Sequence, residues 1–160
     1  MVTKAVEDAA AALDAGKMPQ WISDHLREYR ESGGKSGHRW DSTEFGGAGT
    51  QTCLLMTTIG RKSGLAYTHP LLYGEDGENF IIVGSKGGSD THPAWYHNLM
   101  ANPEVELQVG TEVFKAKATL VTGAERARIW DLITAVYPPY KDYQARTTRE
   151  IPLFSLSRIK

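Results

Sequence analysis

A chain of 160 residues with a net charge of -1 is large enough for one domain with a real core, and its charge balance excludes a bulk electrostatic grip on nucleic acid. Hydrophobic content of 41% and charged content of 23% are ordinary for a globular chain, and no apolar run approaches the ~20 residues of a spanning helix. Cys53 is the only cysteine, so an intrachain disulfide is excluded, and residues 1–16 lack a signal-peptide core; a cytoplasmic protein is expected.

Residues 1–16 read as an Ala-rich helix with a thin stripe of Val6, Ala9, Ala10 and Leu13, and a frayed tail fits equally well. A second helix is expected over residues 19–31, with Pro19 in its first turn and Ile22, His25, Leu26 and Tyr29 on one side. Residues 33–50 are Gly-rich and polar, and read as a long loop of the kind that serves as a flap. Strands follow over residues 52–59, 68–73 and 79–84, the last two joined by turn chemistry at Gly74-Glu75-Asp76-Gly77. A short helix is expected over 93–101, then a hairpin of strands 104–109 and 112–121 around Gly110-Thr111. Thr122-Gly123-Ala124-Glu125 has the capping-box pattern, and the helix behind it carries Ile129, Leu132, Ile133 and Val136 on one face. Residues 140–148 suggest a further short helix, and 151–156 a last strand. Tight turns join antiparallel neighbours, so the fold class is α+β, mainly β: an antiparallel sheet or small barrel with helices packed outside. Residues 1–50 form its N-terminal helices and Gly-rich loop, and 51–160 its barrel, in one domain overall.

Two strands end in Gly-rich loops that carry cations. Gly60-Arg61-Lys62-Ser63-Gly64 and Gly84-Ser85-Lys86-Gly87-Gly88 both let backbone N–H groups converge while Arg, Lys and Ser add donors. Each alone is as well explained by a basic surface turn; together they suggest a ligand with a phosphate or several carboxylates. Neither is a Walker A loop or a dinucleotide fingerprint, so a Rossmann enzyme is disfavoured. Trp95 and Tyr96 either line a flat ring or pack a helix on the sheet, and the spacing of Trp95 and Leu99 favours packing. Tyr137, Tyr140 and Tyr143 recur every three residues, either as a wall of phenols or as a packed aromatic cluster; spacing alone favours the cluster. The five histidines make no metal pattern, His69 within a strand reads as structural, and Cys53 reads as a buried thiol.

Thr58-Ile59-Gly60-Arg61-Lys62-Ser63-Gly64, Ser85-Lys86-Gly87-Gly88, Pro93-Ala94-Trp95-Tyr96-His97-Asn98-Leu99 and Ala101-Asn102-Pro103 resemble the deazaflavin-dependent nitroreductase family. Tyr137-Pro138-Pro139-Tyr140-Lys141-Asp142-Tyr143-Gln144 and Arg149-Glu150-Ile151-Pro152 resemble the C-terminal region of the same family. The resemblance implies a split β-barrel of the flavin-reductase and pyridoxamine-oxidase type. It implies reduced coenzyme F420 as hydride donor and a quinone, nitroaromatic or nitroimidazole acceptor. Arg61, Lys62, Ser63 and Lys86 would take the anionic parts of the coenzyme, and Tyr67 would also contact it. Ala94, Trp95, Tyr96, His97 and Asn98 would form the slot for its ring, flanked by Thr68, His69, Pro70, Leu71, Leu72, Val83, Gly84 and Ser85. Tyr140 is the first choice for contacting the acceptor, helped by Tyr137, Tyr143 and Ser85. Tyr67 stands where some relatives have Arg, and Leu72 where an aromatic residue occurs. FMN in the same slot and a non-catalytic deazaflavin carrier are the alternatives. The N-terminal helices either touch a membrane, where quinones reside, or pack on the barrel; their modest apolar faces favour packing.

Overall fold

The computed structural model describes residues 2–160. Two helices, α1 (Lys4–Asp14) and α2 (Gln20–Glu31), lead into an eight-stranded sheet. Its strands are β1 (Arg39–Asp41), β2 (Thr50–Ile59), β3 (Ala66–Leu72), β4 (Gly74–Asp76), β5 (Asn79–Val83), β6 (Glu104–Val109), β7 (Glu112–Leu120) and β8 (Leu153–Arg158). The sheet runs in the order β1-β2-β6-β7-β8-β5-β4, β3 pairs off this path with β2, and the pairs are antiparallel. Helices α3 (Ala94–Ala101), α4 (Gly123–Val136) and α5 (Pro139–Ala145) connect its parts. This is the expected split barrel of antiparallel strands with helices packed on it.

Alternation along the strands produces two cores. Ile81 and Val83 of β5 and Leu153 of β8 pack with Ile129, Ile133 and the tyrosines 137, 140 and 143. Their neighbours Ile82, Phe154 and Leu156 belong to a second cluster with Leu54, Leu107 and Trp95. A strand that is apolar on both faces therefore separates the barrel interior from the helical layer, as period-2 geometry requires. The β6–β7 hairpin closes as expected, with Val109 opposite Glu112 and Gly110 at φ 59°.

Several local expectations are corrected. Residues 33–50 are not one loop: β1 pairs with β2, and a 3-10 turn follows at Thr43–Phe45. The N-terminus is not a frayed tail, because Thr3 caps α1 and Val6 and Ala10 are buried. Pro19 is the N-cap of α2 rather than a residue of its first turn. Gly74–Asp76 is itself a short strand against β5. Thr122 caps α4 without a side-chain hydrogen bond, so the capping box does not form. Glu125 is drawn instead to Arg128, whose Nη2 donates to Oε2 at 2.7 Å.

Tyr29 bolts α2 to the barrel. It is fully buried, its Oη lies 2.9 Å from the Cys53 carbonyl and 3.2 Å from that of Gln108, and it accepts from Gly110 N–H at 2.7 Å. Burial pushes its pKa up to about 12, so the phenol stays a donor. Among the described residues no helix is long and apolar enough to cross a membrane.

Candidate active site

A cavity of about 210 Å³ lies where the two cores meet. Pro70, Leu71 and Leu72 of β3, Val83 of β5 and Trp95 of α3 contribute to its wall. Tyr137, Tyr140 and Tyr143 line it as well, with Ser85 and Lys86 from the loop after β5. Helix α1 adds Val6, Ala9, Ala10 and Leu13. A volume of 210 Å³ falls below the ~300–1,000 Å³ of most ligand pockets. Cys53 also borders the cavity, and burial pushes its thiol up to about 12, which leaves no thiolate at neutral pH.

The three tyrosines are both of the things their spacing suggested. Their rings pack edge to face, with centroids 4.8 to 6.0 Å apart, and they form part of the cavity wall. Tyr137 Oη donates to the Phe45 carbonyl at 3.2 Å, which leaves Tyr143 to donate to Tyr137 across 2.8 Å. Tyr140 Oη makes no hydrogen bond among the described residues, although the residue is only 5% exposed. Burial raises all three pKa values, reinforced at Tyr143 by the neighbouring Tyr137. Each phenol therefore stays protonated at neutral pH and can give a hydrogen bond.

The loop after β5 already holds a carboxylate. Lys86 Nζ lies 2.8 Å from Asp14 Oδ1, at the C-terminal end of α1. Ser89 Oγ sits 2.6 and 2.7 Å from the two Asp14 oxygens, and Thr91 Oγ1 donates to the same carboxylate at 3.3 Å. Burial raises the Asp14 pKa, but Lys86, Ser89 and Thr91 outweigh it and hold the carboxyl below its ordinary value. These donors converge on one carboxylate, that of Asp14.

The first basic loop is open. Arg61, Lys62 and Ser63 are exposed, and none of them borders the cavity. Ser63 Oγ bonds the Tyr67 hydroxyl at 3.0 Å and accepts from Leu65 N–H at 3.1 Å. Asn98 braces this loop: it is buried, accepts from Arg61 N–H at 3.2 Å and donates to Thr58 Oγ1 at 3.2 Å. Tyr96 is half-buried and stacks on His92 at 4.0 Å, while Ala94 and His97 are exposed. Thr68 bonds Thr57 and Arg30, and Gly84 is tied to Pro152 through its N–H. His69 has a buried Nδ1 with no partner among the described residues, and burial lowers its pKa and keeps it neutral. No group of His, Cys, Asp and Glu that could hold a metal occurs among the described residues.

The sequence profile of the F420H(2)-dependent quinone reductase family matches residues 21–158. The protein belongs to that family. It is 39% identical over 137 residues to an F420H(2)-dependent quinone reductase of Mycobacterium tuberculosis, covering 84% of this chain and 87% of the relative. A solved F420-H2 dependent reductase, FDR-A, is 42% identical with a TM-score of 0.62, covering 66% of this chain and 93% of that one. A structure described as a domain-swapped dimer is 36% identical with a TM-score of 0.65, covering 86% of this chain and 98% of that one.

In this quinone reductase family member several residues escaped sequence reasoning. Trp21, Trp40 and Phe45 form an aromatic partition, with Trp21 and Trp40 stacked at 5.9 Å and Phe45 4.8 and 5.1 Å from them. All three border both the inner cavity and a wider outer groove of about 690 Å³. The signal was present, since two large aromatic residues stood in a stretch otherwise read as a polar flap. Asp14 gave no signal, because one acid at the end of an Ala-rich helix is normal surface chemistry. Arg149 stands out in the sequence only as part of the Arg149-Glu150-Ile151-Pro152 motif. Its guanidinium reaches the carbonyls of Gly84, Ser85 and Ser89.

Proposed function

We propose that the protein is an oxidoreductase that uses reduced coenzyme F420 to reduce quinones, nitroaromatic compounds or related activated acceptors. The observation that carries this reading is a donor cluster around Lys86 that already engages a carboxylate, beside a cavity bordered by Tyr140 with its hydroxyl unengaged. When bound, the reduced deazaflavin supplies the hydride; the protein supplies binding, orientation and a polar environment.

Each part of the chain has a task in this reading. Lys86, with Ser89 and Thr91, receives an anionic group of the coenzyme in place of Asp14. Arg61 and Lys62, exposed and on a braced loop, meet the remaining negative charge. Among the described residues strand β3 pairs on one side only, so part of its backbone is free to bond the polar edge of a heterocycle, and Pro70, Leu71 and Leu72 give a flat apolar contact. Trp95 and Val83 complete the slot. Tyr140 donates a hydrogen bond to the acceptor oxygen and stabilises the charge that develops there. Tyr143 and Tyr137, linked to the Phe45 carbonyl, hold the aromatic wall in place. Helix α1 and the Trp21, Trp40, Phe45 partition add apolar wall to the space.

The test is to mix the protein with reduced F420 and a panel of quinones and nitroaromatic compounds and follow coenzyme absorbance. Acceptor-dependent oxidation is expected. No oxidation across the panel sinks the reading. Competition between F420 and FMN at equal concentration tests the coenzyme separately, and a clear preference for FMN overturns that assignment.

A further inference from the structure

The loop from Gly84 to His92 must turn sharply to carry the chain from β5 into α3. Lys86, at φ 43°, is the one non-glycine in the left-handed region among the described residues, and Gly87 and Gly88 follow at 63° and 83°. A residue with a Cβ resists that conformation. The loop's own bonds, Gly88 N–H to Ser85 O at 2.8 Å and Ser89 N–H to Lys86 O at 3.1 Å, are local. They shape the turn without fixing it to the body of the protein.

Arg149 supplies most of the fixing, beside single bonds from Arg146 Nη1 to Gly87 O at 3.1 Å and Thr147 Oγ1 to Asp90 Oδ1 at 2.9 Å and the Asp14 contacts of Lys86 and Ser89. Nε donates to Ser89 O at 2.7 Å, Nη2 to Ser85 O at 2.7 Å, and Nη1 to Gly84 O and His92 Nδ1, both at 3.1 Å. All four contacts fall on one loop. Arg149 is in turn held to α5: Gln144 Nε2 donates to its carbonyl at 2.7 Å, and Ile151 N–H donates to Gln144 Oε1 at 2.9 Å. A continuous chain of bonds thus links the Lys86 turn, Arg149, Gln144 and the helix that carries Tyr140 and Tyr143. Space closes the same joint, since a Cβ on Gly88 would lie 2.4 Å from the Tyr143 carbonyl oxygen. Three loop carbonyls are also engaged by a cation, so their negative ends do not oppose an incoming anion.

Resting on the coenzyme reading above, we propose that Arg149 is the positioning residue of the coenzyme loop. Its planar fork clamps the carbonyls of Gly84, Ser85 and Ser89, holds Ser85 and Lys86 in register with the α5 tyrosines, and so sets affinity for the coenzyme without touching it. A lysine cannot reproduce this, because its three donors radiate from one point.

The test compares Arg149→Lys with the wild type in steady-state kinetics and in amide hydrogen exchange of the free protein. The KM for reduced F420 should rise about 10-fold or more from the lost charge-assisted bonds. The kcat at saturating coenzyme and the KM for the quinone should stay within about twofold. Exchange at residues 85–89 should quicken while the β6–β7 amides stay unchanged. Val105→Ala, in the barrel core away from the loop, serves as a destabilised control and should leave the coenzyme KM alone. If the Lys variant does not fold, Arg149→Gln takes its place. A wild-type coenzyme KM and exchange pattern in the variant overturns the proposal, as does an equal rise in KM for the control. If the wild type oxidises no reduced F420, the proposed function falls instead. Arg149 is then judged on loop exchange alone, and unchanged exchange overturns its role.

Discussion

Asp14→Asn tests whether α1 competes with the coenzyme. The wild-type carboxylate lies 2.8 Å from Lys86 Nζ, with the lysine side chain 9% and the aspartate side chain 44% exposed. A hydrogen bond to a charged group is worth about 1.5–3 kcal/mol when sheltered. Solvent at the half-exposed aspartate reduces this to about 1 kcal/mol. An anion that takes Lys86 must first displace Asp14, so removing the charge should tighten coenzyme binding by about fivefold. Titration of the coenzyme against both proteins measures this, and amide exchange along α1 should quicken in the variant. The same contact predicts a pH dependence. The folded-state pKa of Asp14 is held below the ordinary 3.8, so the latch is complete above that value and is lost as pH falls through the lower, folded value. The wild type should therefore approach the affinity of the Asn variant only below about pH 4. Equal or weaker binding by Asp14→Asn at neutral pH would refute the competition.

Three further outcomes are expected. Tyr140→Phe should lower kcat/KM for the acceptor about 10- to 100-fold, because the one unengaged phenol of the cavity is lost. Coenzyme affinity should not change, and an unaltered acceptor rate would remove Tyr140 from the reaction. Gly60→Ala would put a Cβ 2.6 Å from both Ser63 Oγ and Tyr67 Cε2. The exposed Tyr67 ring can swing away, so the melting temperature should move little, whereas the KM for coenzyme should rise and that for the acceptor should not. Tyr29→Phe should cost about 1–3 kcal/mol in urea unfolding, since the Gly110 N–H loses its acceptor inside the fold. A stability within error of the wild type would mean that water replaces the hydroxyl.

The barrel was legible because its strands are long enough to show a period. In β7 the face of Phe114, Ala116, Ala118 and Leu120 was readable, and Ala116 and Ala118 are buried. In α4 the stripe of Ile129 and Ile133 was readable for the same reason, and both are buried. Strand β1 was not legible, since three residues cannot display alternation and its pairing is decided by Thr50, Gln51 and Thr52 across the sheet. The cap of α4 misled because a pattern specifies residue types and not backbone direction. Gly123 has φ 63°, and Glu125 found Arg128 before it found the helix start. At the site, the cation-bearing loops and the tyrosines could be seen as local motifs. Which partners hold them could not. Asp14 meets Ser89 across 75 positions and Arg149 meets Ser85 across 64, and no local pattern encodes a contact at that range.

The two sides of the cavity differ in how firmly they are built. Strand β5 is buried on both faces and feeds both cores, and Trp95 is packed against Phe154. Those walls cannot move without opening a core, which costs about 1.5–3 kcal/mol for each large side chain exposed. Helix α1 buries Val6 and Ala10 and is pinned at its end through the half-exposed Asp14, which meets Lys86, Ser89 and Thr91. Opening is drawn from the least stable part of a fold. Entry to a 210 Å³ space should therefore come from displacement of α1. The anion that the coenzyme brings would be the group that breaks the pin, which couples arrival of the coenzyme to the room it needs.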